Sequence, residues 1–220
     1  MKQFTNFMLN SNFKRFCLII ILLFIYTIIC AFSYVNAVST DIQNSVFRLH
    51  VIANSDSKED QALKYIVRDK VIAFINTISK NTSSKEEVID FAKNNINNIK
   101  DIAQQTVYEN GYDYKVNISI GNFAFPTKTY GDISFPAGFY DALKIEIGEA
   151  KGQNWWCVMF PPLCFVDVTS GVVPDESKET IKDNLSEEEY KLLSENTNDV
   201  SFKFKIVEMF QNIGIKLAQS

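Results

Sequence analysis

Hydrophobic and polar positions change period several times along this chain, and each change marks a predicted element. Phe16 to Phe32 is an apolar run interrupted only by Thr27. Val46 to Ile52 (VFRLHVI) then reads as a strand, with Phe47, Leu49 and Val51 on one face. Arg48, His50 and Ile52 share the other face. Asn54-Ser55-Asp56-Ser57 breaks the run, and Ser57 with Asp60 stands at capping-box positions that satisfy the first amides of a helix. Leu63, Ile66, Val67, Val71, Phe74, Ile75 and Ile78 follow at three- and four-residue steps, one apolar stripe on an amphipathic helix. Its opposite face carries Asp60, Lys64 and Arg68, each four apart. Ser84 with Glu87 starts a second helix, whose stripe is Val88, Ile89, Ala92, Ile96, Ile99, Ala103 and Val107. Asn110-Gly111 stops it. Both stripes need an apolar surface, so the helices are expected side by side on one face of a sheet.

The period next shortens to two. Tyr112, Tyr114, Val116, Ile118 and Ile120 alternate with polar residues, a half-buried strand. Phe123 to Tyr140 holds Pro126, Gly131, Pro136 and Gly138 and reads as a loop or irregular edge. Leu143, Ile145 and Ile147 form another strand, and residues 148–153 read as a hairpin turn returning through Asn154 to Phe160. That return strand is apolar on both faces, so it should be central or covered on both sides. Residues 174–199 turn polar and acidic: a mobile insertion, or a short helix capped by Ser186 and Glu189 on a solvated arm. Val200 to Ile206 alternates as a final strand, and Met209, Phe210, Ile213 and Leu217 fit a final helix. The expected class is α+β, a largely antiparallel sheet with two long amphipathic helices packed on one face. The expected division is 1–37 as an N-terminal segment and 38–173 as the α+β domain. Residues 174–199 are then an acidic insertion, and 200–220 a strand and helix packing back on the domain.

Charge sharpens the reading of the first segment. Lys2, Lys14 and Arg15 precede or open the apolar run, no acid occurs before Ala37, and Val35-Asn36-Ala37 ends in the small-x-small pattern that a signal peptidase reads. The run also nears the length that spans a bilayer, so the segment is either a signal peptide cleaved at Ala37 or a retained anchor. Either way the remainder is expected outside the cytoplasm. Without three of its 22 basic residues and with all 26 acids, that remainder carries a net charge of −7. Such acidity opposes nucleic-acid binding and polybasic attachment to lipid, which leaves the N-terminal segment as the only expected membrane contact. Cys17 and Cys30 lie in that segment. Cys157 and Cys164 remain, a candidate disulfide in an exported domain or a pair of buried thiols.

Candidate chemistry is sparse. Arg48, His50, Asn54 and Asp56, with Arg68 and Asp69 nearby, could form a polar site in which His50, the one histidine, acts as a base. The same residue types also serve turns and caps. Asp56, Glu59 and Asp60 offer oxygens, which leaves calcium open, but without a second histidine zinc is not expected. Cys157 sits among bulky apolar residues, unlike an activated thiol. No G-x-S-x-G elbow or phosphate-cradling loop occurs, and Asp167 to Gly171 lacks an Asp-Thr-Gly turn. Neither catalytic residues nor a cofactor is expected. Trp155, Trp156, Phe160, Phe165, Phe135, Phe139 and Tyr140 gather around Pro126, Pro136, Pro161 and Pro162, as core filling or as a recognition surface.

Two blocks carry a family resemblance. Arg48-Leu49-His50-Val51-Ile52-Ala53-Asn54-Ser55-Asp56-Ser57, with Asp60-Gln61 and Val67-Arg68-Asp69, resembles the opening of the stage II sporulation protein R family. Gly152-Gln153-Asn154-Trp155-Trp156-Cys157-Val158-Met159-Phe160-Pro161-Pro162-Leu163-Cys164 resembles its second hallmark. The resemblance covers Val46 to Asp167; Ala150 stands where glycine is expected, and the C-terminal third resembles the family only loosely. It implies a signalling protein of endospore-forming bacteria, made in the forespore and exported into the space between forespore and mother cell. There it would trigger a membrane-embedded aspartic protease of the mother cell that cuts the pro-sequence from a sigma factor. The family supplies no residue-level map, so residue chemistry alone selects two candidate partner surfaces: Arg48, His50, Asn54, Asp56 and Arg68, and the aromatic loop of Trp155, Trp156, Pro161 and Pro162. The rival class is an exported hydrolase of peptidoglycan or peptide, for which only His50 with Asp56 or Asp69 is available. A structural bridge between the two membranes would need the apolar segment uncleaved.

Overall fold

The computed structural model describes residues 11–79, 82, 84–164, 173 and 175–194. The chain divides into two units, Met1–Thr40 and Asp41–Ser220. In the first, the apolar run is helical. Helix α1 spans Ser11–Ser45, and within it Asn12–Ala31 has a mean hydropathy of 2.3 with none of its window buried. A helix satisfies its own backbone amides and carbonyls, so a continuous apolar surface is compatible with lipid. This segment is long and apolar enough to cross a membrane and fits a signal or an anchor. Val35-Asn36-Ala37 lies within the helix.

The second unit is built around one strand. β1 (Phe47–Ile52) is buried at all six positions. Both of its edges are paired as well. It pairs in parallel with β5 (Gly138–Ile147) and antiparallel with β6 (Asn154–Phe160), while β2 (Val116–Phe125) lies antiparallel on β5. The order is β2-β5-β1-β6. The expected hairpin between β5 and β6 is therefore corrected: the two strands flank β1, and residues 148–153 arch over its C-terminal end. β6 is an edge of this four-stranded sheet, with Cys157 to Phe160 buried and Trp155 and Trp156 half-buried.

One face of the sheet carries the helices. Phe47, Leu49 and Val51 pack with Leu63, Val67, Val71 and Ile75 of α2 (Lys58–Ser79), all 2% exposed or less. Burying each such side chain contributes roughly 1.5–3 kcal/mol, so this stripe is what holds α2 on the sheet. The second predicted helix is two. α3 (Lys85–Asn94) begins with Ser84 Oγ accepting from the Glu87 amide at 3.3 Å, and α4 (Ile96–Glu109) resumes after Asn95. Asn95 (φ −112°, ψ 16°) leaves the helical region, and its side-chain amide donates back to Phe91 O at 3.0 Å. Asparagine competes for local backbone groups in this way, which periodicity does not register. Val88, Ala92, Ile99, Ala103 and Val107 still meet the same core.

The other face carries what reads in the sequence as a loop. β2 continues to Phe125, and β3 (Lys128–Tyr130) with β4 (Ile133–Phe135) makes a separate two-stranded ladder turning at Gly131 (φ 56°). Pro126 and Pro136 delimit these strands rather than interrupt one. Beyond them, α5 (Asp175–Asn184) and α6 (Glu187–Ser194) replace the expected solvated arm. Ser186 and Glu189 form the anticipated capping box, at 2.7 and 3.3 Å. Ile181 and Leu193 are buried, α6 packs on β4, and Lys178 pairs with Asp132 at 2.6 Å. The class is α+β, with a sheet mostly antiparallel. The strand expected at Val200–Ile206, the final helix, Phe165 and the Asp167–Gly171 turn lie outside the described residues.

Candidate partner-binding site

The two sequence blocks meet in space. After β1 the chain turns through Asn54, Ser55 and Asp56, directly beneath the arch of residues 148–153. Asn54 Oδ1 accepts from the Glu149 amide at 2.9 Å, and Asp56 Oδ1 accepts from the Gln153 amide at 2.7 Å. Lys151 and Gly152 donate their amides to Asn54 O and Ala53 O. A Cβ on Gly152 would stand 2.2 Å from Ser55 O, so only glycine admits this approach. On the helix side Asp60 accepts from Asn54 Nδ2 (2.8 Å) and Ser55 Oγ (2.6 Å). Burial alone would raise its carboxyl, but these donors outweigh it and hold the pKa below the ordinary value. Lys64, 1% exposed, donates to Gln61 Oε1 and Gln153 O, and its pKa is lowered by burial and by Arg68. Asn54 and Asp56 are thus committed to holding the arch.

Arg48 and His50 point from β1 to the opposite face. Arg48 is fully buried without a carboxylate in hydrogen-bond contact among the described residues. Its guanidinium lies 4.2 Å from the Phe125 ring centre, 4.6 Å from Tyr140 and 5.9 Å from Phe135, and Nη2 donates to Tyr130 Oη at 2.9 Å. Tyr130 in turn donates to Trp156 O at 3.1 Å. Burial raises the pKa of both Tyr130 and Tyr140, so the two phenols stay protonated. Desolvated cation–π contacts are worth about 2 kcal/mol, less than an unpaired buried cation costs.

His50 stacks on Trp156, ring centres 3.7 Å apart, and meets Phe125 edge-on at 5.9 Å. Nε2 lies 2.7 Å from Asn154 Oδ1, which assigns the proton to Nε2. Burial lowers the ring's pKa, the Asn154 bond partly offsets this, and Lys144 adds to the lowering, so the ring is neutral. Lys144 pairs with Glu146 across the same stretch of sheet. Four buried side-chain polar atoms lack a partner among the described residues: Arg48 Nε, Arg48 Nη1, His50 Nδ1 and Trp155 Nε1. Three of the four belong to this one face of β1.

The remaining predicted residues divide between faces. Successive strand residues alternate, so Trp155 and Trp156 cannot share a surface. Trp155 lies on the helix side under Arg68 (4.2 Å), with Tyr65 edge-on at 5.4 Å, while Arg68 pairs with Asp69 at 2.7 Å. The expected grouping of Arg68 with Arg48 and His50 is corrected accordingly: helix α2 covers the other face. Cys157 and Cys164 are joined by a disulfide, Cα atoms 5.2 Å apart, closing a loop in which Pro161 is cis and buried and Pro162 exposed. His50 and Cys157 point to opposite faces, so no thiol–imidazole pair exists. Among the described residues no group of three or more His, Cys, Asp or Glu side chains converges. The sequence reading missed Phe125, Tyr130, Lys144 and Asn154 as neighbours of Arg48 and His50. The spacing of Phe123 and Phe125 on either side of Ala124, just before Pro126, was the available signal.

Taken together, the geometry defines an α+β domain that encloses an aromatic and cationic stripe, in which His50 is hydrogen-bonded to no carboxylate among the described residues. Stage II sporulation protein R (spore_II_R) is the family that matches, over residues 43–170. The chain is similar to the stage II sporulation protein R of Bacillus subtilis (strain 168), 41% identical over 143 residues, which are 64% of each chain. It therefore spans about two thirds of the length of that relative, by a margin just short. No solved structure matches. The chain belongs to the stage II sporulation protein R family, a family of sporulation proteins.

Proposed function

We propose that this chain is an exported intercellular signal of endospore formation: secreted from the forespore into the intermembrane space, it activates a membrane-embedded aspartic protease of the mother cell, which then processes a sigma-factor precursor. The observation that carries the reading is the family match across residues 43–170, the β1 to β6 unit in which both sequence blocks interlock. The apolar helix Asn12–Ala31 supports export or anchoring. The polar residues that an enzyme would need support the same reading, because Asn54, Asp56 and Asp60 serve the arch and the helix start. His50 faces an amide rather than a carboxylate. Such a protein acts by binding one arrangement of its partner in preference to another.

Co-expression of the full chain with the candidate protease and the sigma-factor precursor in a non-sporulating host tests this. Cleavage that depends on the chain is expected; its absence, with all three proteins exported or inserted as intended, refutes the proposal. Purified chain that hydrolysed peptidoglycan or peptide unaided, and lost this on His50→Ala, would establish the hydrolase instead.

A further inference from the structure

Buried polar groups in native proteins almost always find partners, and an exception calls for a cause. Here the exceptions cluster. Among the described residues Arg48 leaves Nε and Nη1 without an acceptor, and two residues along the same strand face His50 leaves Nδ1 without a partner, both side chains more than nine-tenths buried. Residues two apart on a strand face stand roughly 6–7 Å from each other, the span that one carboxylate bridges. The Phe125 ring touches both groups, and the half-buried Trp156 ring stacks on His50. Among the described residues no carboxylate is hydrogen-bonded to either group.

We propose that Arg48 and His50 form a concealed receptor for a carboxylate side chain of the protein partner, entered past Trp156. The inference rests on the signalling role proposed above and names where that partner engages. The guanidinium would donate to the carboxylate from Nε or Nη1, which lie on different edges of its plane and are both left over by the Nη2 bond to Tyr130. His50 would take up a proton from solvent at Nδ1 while Nε2 keeps its bond to Asn154, so the ring becomes a two-donor imidazolium. Admission requires the Trp156 ring to leave its stack. Trp156 and Lys144 are half-buried and Asn154 is exposed, so this end of the stripe is the one that meets solvent. The charged groups around His50 are Arg48 and Lys144, which oppose its protonation, and Glu146, which favours it but is paired with Lys144. An incoming carboxylate reverses that balance.

His50 is the chain's single histidine, so its ring can be read without assignment. In the full chain, isotope-labelled and held in neutral detergent micelles, sodium acetate is compared with sodium chloride at equal ionic strength. The His50 pKa is expected to rise by at least one unit in acetate, both ring nitrogens protonated, and the Trp156 fluorescence to shift. Arg48→Met should abolish the rise. An identical His50 titration in the two salts overturns the proposal. In the co-expression assay, Arg48→Met is expected to lower precursor cleavage at least tenfold with export intact, and Arg48→Lys to rescue it only in part. Cleavage within twofold of wild type by Arg48→Met likewise overturns it. Failure of the wild-type chain to support cleavage would instead refute the signalling role, while the acetate titration still decides the receptor.

Discussion

The two faces of the central sheet solve the same burial problem by different means. On the helix face Phe47, Leu49 and Val51 join the apolar stripes of α2, α3 and α4 in one core. On the other, the alternating residues of the same strand are an arginine and a histidine, buried among Phe125, Tyr130, Tyr140 and Trp156. The first arrangement is worth its apolar area. The second covers its area at the expense of solvating a cation and, among the described residues, leaves three polar atoms unpaired. A face that spends stability in this way is where function is to be sought, because folding alone would favour methionine and leucine there.

Neighbouring substitutions on β1 should separate the faces most sharply. Leu49→Ala is expected to cost about 3 kcal/mol, since the helices above it cannot collapse fully into the gap. Arg48→Met, one residue away, is expected to leave stability within about 1 kcal/mol of wild type or to raise it. Urea unfolding of both variants measures the difference, and equal losses would dissolve the contrast. Replacing Cys157 and Cys164 together by serine should remove about 2.5 kcal/mol, the loop-closure entropy of a short ring, and the loss should vanish when wild type is measured under reducing conditions. At the arch, Ala150 holds φ 51°, a left-handed conformation that a side chain resists. Ala150→Gly should therefore stabilise by about 1 kcal/mol, visible as a raised unfolding midpoint. pH is the gentlest lever. His50 has a folded pKa below the ordinary 6.5, so its contribution is complete above that value and is lost as pH falls through the folded pKa. Wild type should lose stability relative to His50→Gln as pH falls below 6.5 towards the folded pKa, and parallel curves would show the ring to be solvated.

Much of this was legible beforehand. The stripes of α2 and of the α3–α4 pair were readable because each repeats over several turns, and the two faces of β1 because VFRLHVI alternates. Alternation tells which face a residue takes but not which strand lies beside it, so a straddled β1 and a simple β5–β6 hairpin look alike in the sequence. The same limit joined Trp155 to Trp156, although one strand turns them apart. The rings around Arg48 were hidden for another reason: β3 and β4 are three residues each, too short for a period to register between Pro126 and Pro136. Asn54 and Asp56 were visible as polar and unusual, but only the arch shows that their oxygens are spoken for. The glycine expected at residue 150 had a physical basis, which the positive φ of Ala150 now supplies.

The position of β1 has a kinetic corollary. It is the first strand made, yet its two neighbours arrive only with residues 142–146 and 154–160. Nothing can lock around it until most of the domain has emerged, so the polypeptide stays pliable for about a hundred residues behind its leading end. For the export proposed above, a keystone laid first and gripped last would keep the chain loose while it is threaded through a bilayer.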